Sequence, residues 1–298
     1  MTSSEAQSIA NDLTPAFDVV RPTQLLSPLV FCSPHSGRCY PRAFLAASRL
    51  APLALRKSED CYVDELLGTV ATLGAPLISA RFPRAYIDAN REPYELDPAL
   101  FVERPPAFAN TQSIRVAGGL GTIPRLVADA EEIYANRLPL SVAFERIERL
   151  YHPFHQALAD LLQEARSAFG RSILIDCHSM PSASSDQSSN QRPHFVLGDR
   201  FGVSCDPRLT RFVRDTLTGY GYSVQLNRPY AGGFITEHYG KPVAGIEALQ
   251  IEINRGLYLN EATLEKTAGF TALRAVLANL AAGLIARTSA SIGRQAAE

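Results

Sequence analysis

The sequence lacks paired cysteines. Its five cysteines (Cys32, Cys39, Cys61, Cys177 and Cys205) form no CxxC motif. An odd count without close pairs argues against a disulfide framework and against a cysteine zinc site, so reduced thiols are the expectation. Neither sign of charge dominates. Lys plus Arg number 29 against 30 for Asp plus Glu, a net charge of -1. No global positive field exists to hold nucleic acid. Long apolar runs are missing too. Leu73 to Ala80 and Ala275 to Ile285 both fall short of the ~20 residues a spanning helix needs, so no membrane span is expected. Met1 to Asp18 is acidic and polar, without the basic start or apolar centre of a secretory signal. The expectation is a cytoplasmic protein. Internal repeats and long low-complexity segments are also absent.

What remains is an ordinary globular composition, with 46% hydrophobic and 20% charged residues in 298. The apolar pattern predicts strands at Phe17 to Val20, Leu29 to Ser33, Leu77 to Ala80, Ala85 to Ile87, Ser172 to Asp176, Ser223 to Leu226 and Ala248 to Ile253. Spacings of three and four predict helices over Asp60 to Gly74, Ile133 to Phe169, Asp206 to Tyr220 and Glu261 to Ala286. Pro93 to Pro124 and Tyr230 to Gly240 read as loops. Alternating strands and helices imply an α/β sheet covered by helices on both faces. No cut point divides the chain, so residues 1–298 are expected to form one domain, with 1–15 flexible at the start.

Ligands of open α/β sheets bind at the carboxyl ends of strands. The polar residues there form a small set. Pro34-His35-Ser36-Gly37 follows one strand and Asp176-Cys177-His178-Ser179 another. Gln250 and Glu252 lie on a third, and Asp88-Ala89-Asn90-Arg91 ends a fourth. Two strand-end histidines suit a metal, for which zinc typically takes three protein ligands and a water. The third ligand should be a carboxylate. Asp64 is the first choice because it borders the buried side of its predicted helix; Asp60, at i, i+4 on the same face, and Glu65 are rivals. Asp176, two residues before His178, projects to the same side of the strand and can hold the imidazole in place.

Glu252 lies between Ile251 and Ile253 in an apolar strand. A buried carboxylate there needs a role, as a general base, or a partner such as Arg255. Arg91 and Arg228, each after an asparagine in a polar loop, are candidate anion clamps and point to a doubly anionic substrate. His238 is a candidate for contacting substrate or transition state. His152 and His155 fit metal binding or helix packing equally. Gly118-Gly119-Leu120-Gly121 lacks the GKS/T ending of a phosphate loop, and Ser36 and Ser179 lack the GxSxG elbow of serine hydrolases.

Seven segments, in order, resemble the N-formylglutamate amidohydrolase family. They are Ser33-Pro34-His35-Ser36-Gly37, Tyr62-Val63-Asp64-Glu65-Leu66, Ile87-Asp88-Ala89-Asn90-Arg91, Tyr151-His152-Pro153-Phe154-His155, Asp176-Cys177-His178-Ser179, Gly232-Gly233-Phe234-Ile235-Thr236 and Gln250-Ile251-Glu252. The resemblance spans about Phe17 to Leu284. It implies a zinc-dependent hydrolase built as a three-layer α/β/α sandwich with a mixed sheet, similar to the zinc carboxypeptidases and aspartoacylases. The implied reaction splits N-formyl-L-glutamate into formate and L-glutamate, a step of histidine degradation. By resemblance, His35 and His178 are zinc ligands and Glu252 is the catalytic glutamate. Asn90-Arg91 is similar to a pair that holds a substrate carboxylate, and Gly233 and Thr236 join the substrate-binding set. One departure stands out: where carboxypeptidases carry a ligand Glu three residues after the first His, this chain has Arg38.

The reading that follows is a metal-dependent amidohydrolase with Zn2+ (or another divalent ion) on His35, Asp64 and His178. Glu252 is its base, and Arg91 or His238 its oxyanion donor. Arg228 with Asn90 or Arg91 holds a small-molecule substrate, an N-acyl amino acid. The rivals are an amidase or carboxypeptidase-like enzyme acting on another N-acyl amino acid or peptide, and a non-catalytic small-molecule binding protein. Oligomeric state is left open.

Overall fold

The computed structural model describes residues 5–127, 130–182 and 193–295, with side chains as far as residue 289. Its strands are β1 (Phe17–Val20), β2 (Leu29–Ser33), β3 (Leu77–Ala80), β4 (Ser172–Met180), β5 (Phe195–Gly198), β6 (Val224–Leu226), β7 (Ile246–Asn254), β8 (Leu259–Asn260) and β9 (Glu265–Lys266). The helices are α1 (Glu5–Asp12), α2 (Arg42–Ala47), α3 (Pro52–Arg56), α4 (Val63–Leu66), α5 (Ile114–Ala117), α6 (Leu140–Arg146), α7 (His152–Phe169), α8 (Pro207–Gly219), α9 (Phe234–Tyr239) and α10 (Gly269–Gln295). Seven strands form one mixed sheet in the order β1-β3-β2-β4-β7-β5-β6. β2, β4 and β7 run parallel, while β5 is antiparallel to β7.

Contacts divide the chain into two compact units. One comprises Met1–Asp18, Pro34–Glu59 and Ser79–Ala157; the other comprises Val19–Ser33, Asp60–Ile78 and Leu158–Glu298. In the second unit, the whole of β4 is buried, as expected for a central strand covered on both faces. Side chains of a strand alternate between faces. Ile173, Ile175 and Cys177 of β4, with Leu249, Ile251 and Ile253 of β7, join a core completed by Val63 and Leu66 of α4, Val213 of α8 and Leu277 of α10. Asp176, His178, Gln250 and Glu252 occupy the intervening positions and project to the opposite face. The register pairs Asp176 with Gln250 and His178 with Glu252.

The first unit is organised around a buried arginine. Arg146 Nε donates to Glu5 Oε1 at 2.6 Å, and Nη1 donates to the Tyr86 carbonyl and the Tyr134 hydroxyl at 3.0 and 2.7 Å. Its guanidinium lies 3.8 Å from the Tyr86 ring centroid, a cation–π contact. One of these bonds ties α1, through Glu5, to Arg146 of α6. Residues 1–4 lie outside the described residues.

Several expectations change for local reasons. Ala85 to Ile87 is a turn, because Tyr86 and Ile87 N–H both donate to the Pro83 carbonyl. Asp60 to Gly74 contains only the short α4. It starts after Tyr62, whose left-handed φ of 61° cannot continue a helix backward. Tyr230 to Gly240 includes α9 rather than being loop throughout. The long helix begins at Gly269, preceded by the β8–β9 pair. β5 has no counterpart among the expected strands. α10 is longer than the apolar run seen in the sequence: Gly269–Ser289 passes the length and composition of a bilayer span. Its Leu273, Leu277, Leu280 and Leu284 are nevertheless buried in the core.

Candidate metal centre and active site

The first histidine arrives on a turn with no spare room. Two residues past β2, His35 is 1% exposed. At Gly37 a Cβ would lie 2.0 Å from the Phe82 carbonyl oxygen, so only glycine fits the turn. His35 Nε2 lies 2.7 Å from Asp88 Oδ1, and the Asn90 N–H donates to the same oxygen at 2.8 Å. Burial alone would raise the Asp88 pKa. The charges of Arg91, Arg84 and His35 outweigh it and hold the carboxyl well below its usual range.

Arg91 is itself buried, which lowers its pKa. Its Nε donates to the Leu120 carbonyl at 2.9 Å and Nη1 to the Asn90 carbonyl at 2.7 Å. Helical neighbours brace this turn. His155 Nε2 lies 2.9 Å from the Ala89 carbonyl, and the Tyr151 hydroxyl donates to the Arg91 carbonyl at 2.7 Å. Tyr151 ends a π-helical turn, Ile147–Tyr151, between α6 and α7. Such turns often occur at functional sites.

The second unit carries its own buried polar group. His178 Nδ1 lies 3.0 Å from Asp60 Oδ2, and its Nε2 lies 3.1 Å from Asp176 Oδ1. Burial opposes the imidazolium, but Asp176, Asp60 and Glu252 prevail and hold the ring well above its ordinary pKa. The other Asp60 oxygen accepts from Ser179 Oγ at 3.1 Å and Arg255 Nη2 at 3.2 Å. Arg255, weighed from sequence as a partner for Glu252, thus serves Asp60. Glu252 is 7% exposed and its Oε1 accepts from Gln250 Nε2 at 2.9 Å.

His35, Asp60 and His178 are all buried, and one candidate ligand atom from each lies within 4.8 Å of the others. The donor set fits a zinc-type ion: two imidazoles and one carboxylate, each imidazole held through a ring nitrogen by a further carboxylate. Asp64 is not part of this set. Because Tyr62 interrupts the helix, Asp60 and Asp64 do not share a helical face. Asp60 is fully buried, whereas Asp64 is half-buried on α4. Glu65 forms an ion pair with Lys266.

Among the remaining candidates, the Gly233 N–H donates to Gln250 Oε1 at 2.7 Å. Thr236 is buried with its hydroxyl 3.4 Å from Asp176 Oδ2. Arg228 is exposed. His238 is exposed and stacks on Phe234 at 5.0 Å; partial desolvation, then the Lys241 charge, lower its pKa. His152 is 42% exposed and lies 3.6 Å from Glu148.

A mixed α/β sheet with buried histidine, aspartate and glutamate side chains near its strand ends fits an enzyme of the hydrolase type. A family profile described as N-formylglutamate amidohydrolase matches residues 27–259, and the chain belongs to that family. It is 29% identical to the N-formylglutamate deformylase of Pseudomonas aeruginosa, over 78% of this chain and 83% of that protein. It is 28% identical to the Pseudomonas putida enzyme of the same name, over 78% and 82% of the two chains. The solved N-formylglutamate amidohydrolase of Ralstonia eutropha JMP134 superposes with a TM-score of 0.88 at 36% identity, covering 93% of this chain and 99% of its own.

Proposed function

We propose that this chain hydrolyses the formyl amide of N-formyl-L-glutamate to formate and L-glutamate, using a divalent ion held by His35, Asp60 and His178. Family membership supports the reaction, and the buried His35–Asp60–His178 cluster supports the metal. His35 Nε2 lies 2.7 Å from Asp88 and His178 Nε2 lies 3.1 Å from Asp176, so each ring that would hold the ion has a further carboxylate beside it. An ion held there supplies Lewis acidity, which acidifies water and polarises a carbonyl.

Glu252 is the general base. It neighbours His178 in register and projects to the same face of the sheet. Its carboxylate takes one proton from the attacking water and passes it to the departing amine nitrogen. The C–O bond forms first and puts negative charge on the carbonyl oxygen; the C–N bond then breaks as the nitrogen takes the proton, and the two products are formate and glutamate. Asn90, Arg91 and Arg228 are assigned to the two glutamate carboxylates, and Gly233 and Thr236 to the turn that borders the substrate. Arg91 gives two of its three nitrogens to backbone carbonyls and holds the third 3.6 Å from Asp88, which fixes its guanidinium in place. Arg91 and His238 are the candidate donors to the developing oxyanion.

The test is formate release from N-formyl-L-glutamate by metal-quantified protein beside its Glu252→Gln variant. The expected result is a loss of kcat of about 10²–10⁴-fold in the variant, with bound metal unchanged. No release by metal-loaded wild type would remove this substrate. Turnover of another N-acyl amino acid would then favour the wider amidase reading.

A further inference from the structure

The mechanism leaves Gln250 without a role, yet its bonds are fully directional. Gln250 is 3% exposed and lies on β7 beside Asp176. Its amide oxygen accepts from the Gly233 N–H at 2.7 Å, and its amide nitrogen donates to Glu252 Oε1 at 2.9 Å. A backbone N–H can only donate, so Gly233 requires the oxygen of Gln250 on its side. The NH2 group must then face Glu252, and it can only donate. The Thr236 hydroxyl, 3.4 Å from the same amide oxygen, reinforces that orientation. Gly233 is placed at the mouth of α9 by Gly232, whose φ of 117° suits glycine alone.

We propose that Gln250 is a positioning residue that aims the Glu252 carboxylate and ties it to the Gly232–Thr236 turn. The proposal rests on Glu252 being the base. A carboxylate on a strand retains freedom about its terminal torsion. A donor fixed from behind removes that freedom at one oxygen. Because the same amide is anchored on the turn assigned to substrate, the orientation of the base depends on that turn being in place.

Two variants separate this role from packing. Gln250→Met keeps the bulk and removes both bonds. Gln250→Glu keeps an acceptor for Gly233 and nearly the same shape, but removes the donor to Glu252. Both are expected to lower kcat by about 10–100-fold, with KM within about twofold and bound metal unchanged. In a Glu252→Gln background, Gln250→Met should cost nothing further, because the two residues act as one unit. Full activity of Gln250→Glu would overturn the proposal, as would an equal loss from Gln250→Met in both backgrounds. If Glu252→Gln alone retains wild-type kcat, the base assignment itself fails, an outcome distinct from both.

Discussion

At the scale of single residues, Asp60 carries the most weight. Its two oxygens are divided: one faces His178, and the other accepts from Ser179 and Arg255. Replacing it should remove metal without touching Asp64. Asp60→Asn is expected to lower metal affinity by 10-fold or more, about the effect of changing even an outer partner, whereas Asp64→Asn retains the ion. Equilibrium dialysis with zinc reads both. The cysteines separate in a similar way. Cys39 is half-buried and the other four are buried. Burial raises the Cys205 thiol to about 12, and Cys32 and Cys177 lie well above their ordinary value for the same reason. A raised pKa keeps the thiol protonated and unreactive until pH approaches it. At pH 8 an aromatic disulfide reagent should therefore titrate one thiol quickly in native protein and all five after denaturation.

At the scale of elements, the informative pieces are the turns that deliver side chains. Gly37 permits the turn after β2 because any Cβ there would overlap the Phe82 carbonyl. Gly37→Ala is expected to destabilise the protein by at least about 1–3 kcal/mol, read by urea denaturation, and to weaken metal binding by displacing His35. The π-turn before α7 acts on the Asp88–Arg91 turn in the same unit, through Tyr151. Tyr151→Phe leaves the buried Arg91 carbonyl without that donor, at a cost of about 1–3 kcal/mol. That loss should appear in KM more than in kcat if Arg91 holds the substrate. These elements were only partly legible in the sequence. The continuous apolar run Ser172 to Asp176 announced β4, and alternation over Ala248 to Ile253 announced β7. The turn at Ala85 to Ile87 looked like a strand because its burial comes from neighbours distant in sequence, not from a sheet. α9 was hidden by its glycine-rich approach.

At the scale of the whole molecule, stability depends on the core of the second unit, and α10 tests it. Leu277 is 4% exposed, and Leu277→Ala should cost about 2–5 kcal/mol in thermal or urea unfolding while leaving kcat of the folded protein near wild type. A ligand that binds only the native state also stabilises it, so added zinc should raise Tm and a chelator should lower it. Asp60→Asn should abolish that response.

Alternation along β4 and β7 placed Asp176, His178, Gln250 and Glu252 on one face, because a strand's two-residue period is local and fixes side-chain direction wherever the strand forms. The same locality limited the reading of which carboxylate meets His178. The choice between Asp60 and Asp64 depended on a left-handed Tyr62 and on where His178, Ser179 and Arg255 meet a chain more than 100 residues away in sequence. The partnership of Asp88 with His35, 53 residues apart, has the same origin. Strand direction follows from neighbouring residues; which carboxylate reaches a histidine follows from packing of the whole chain, and only the tertiary structure decided it.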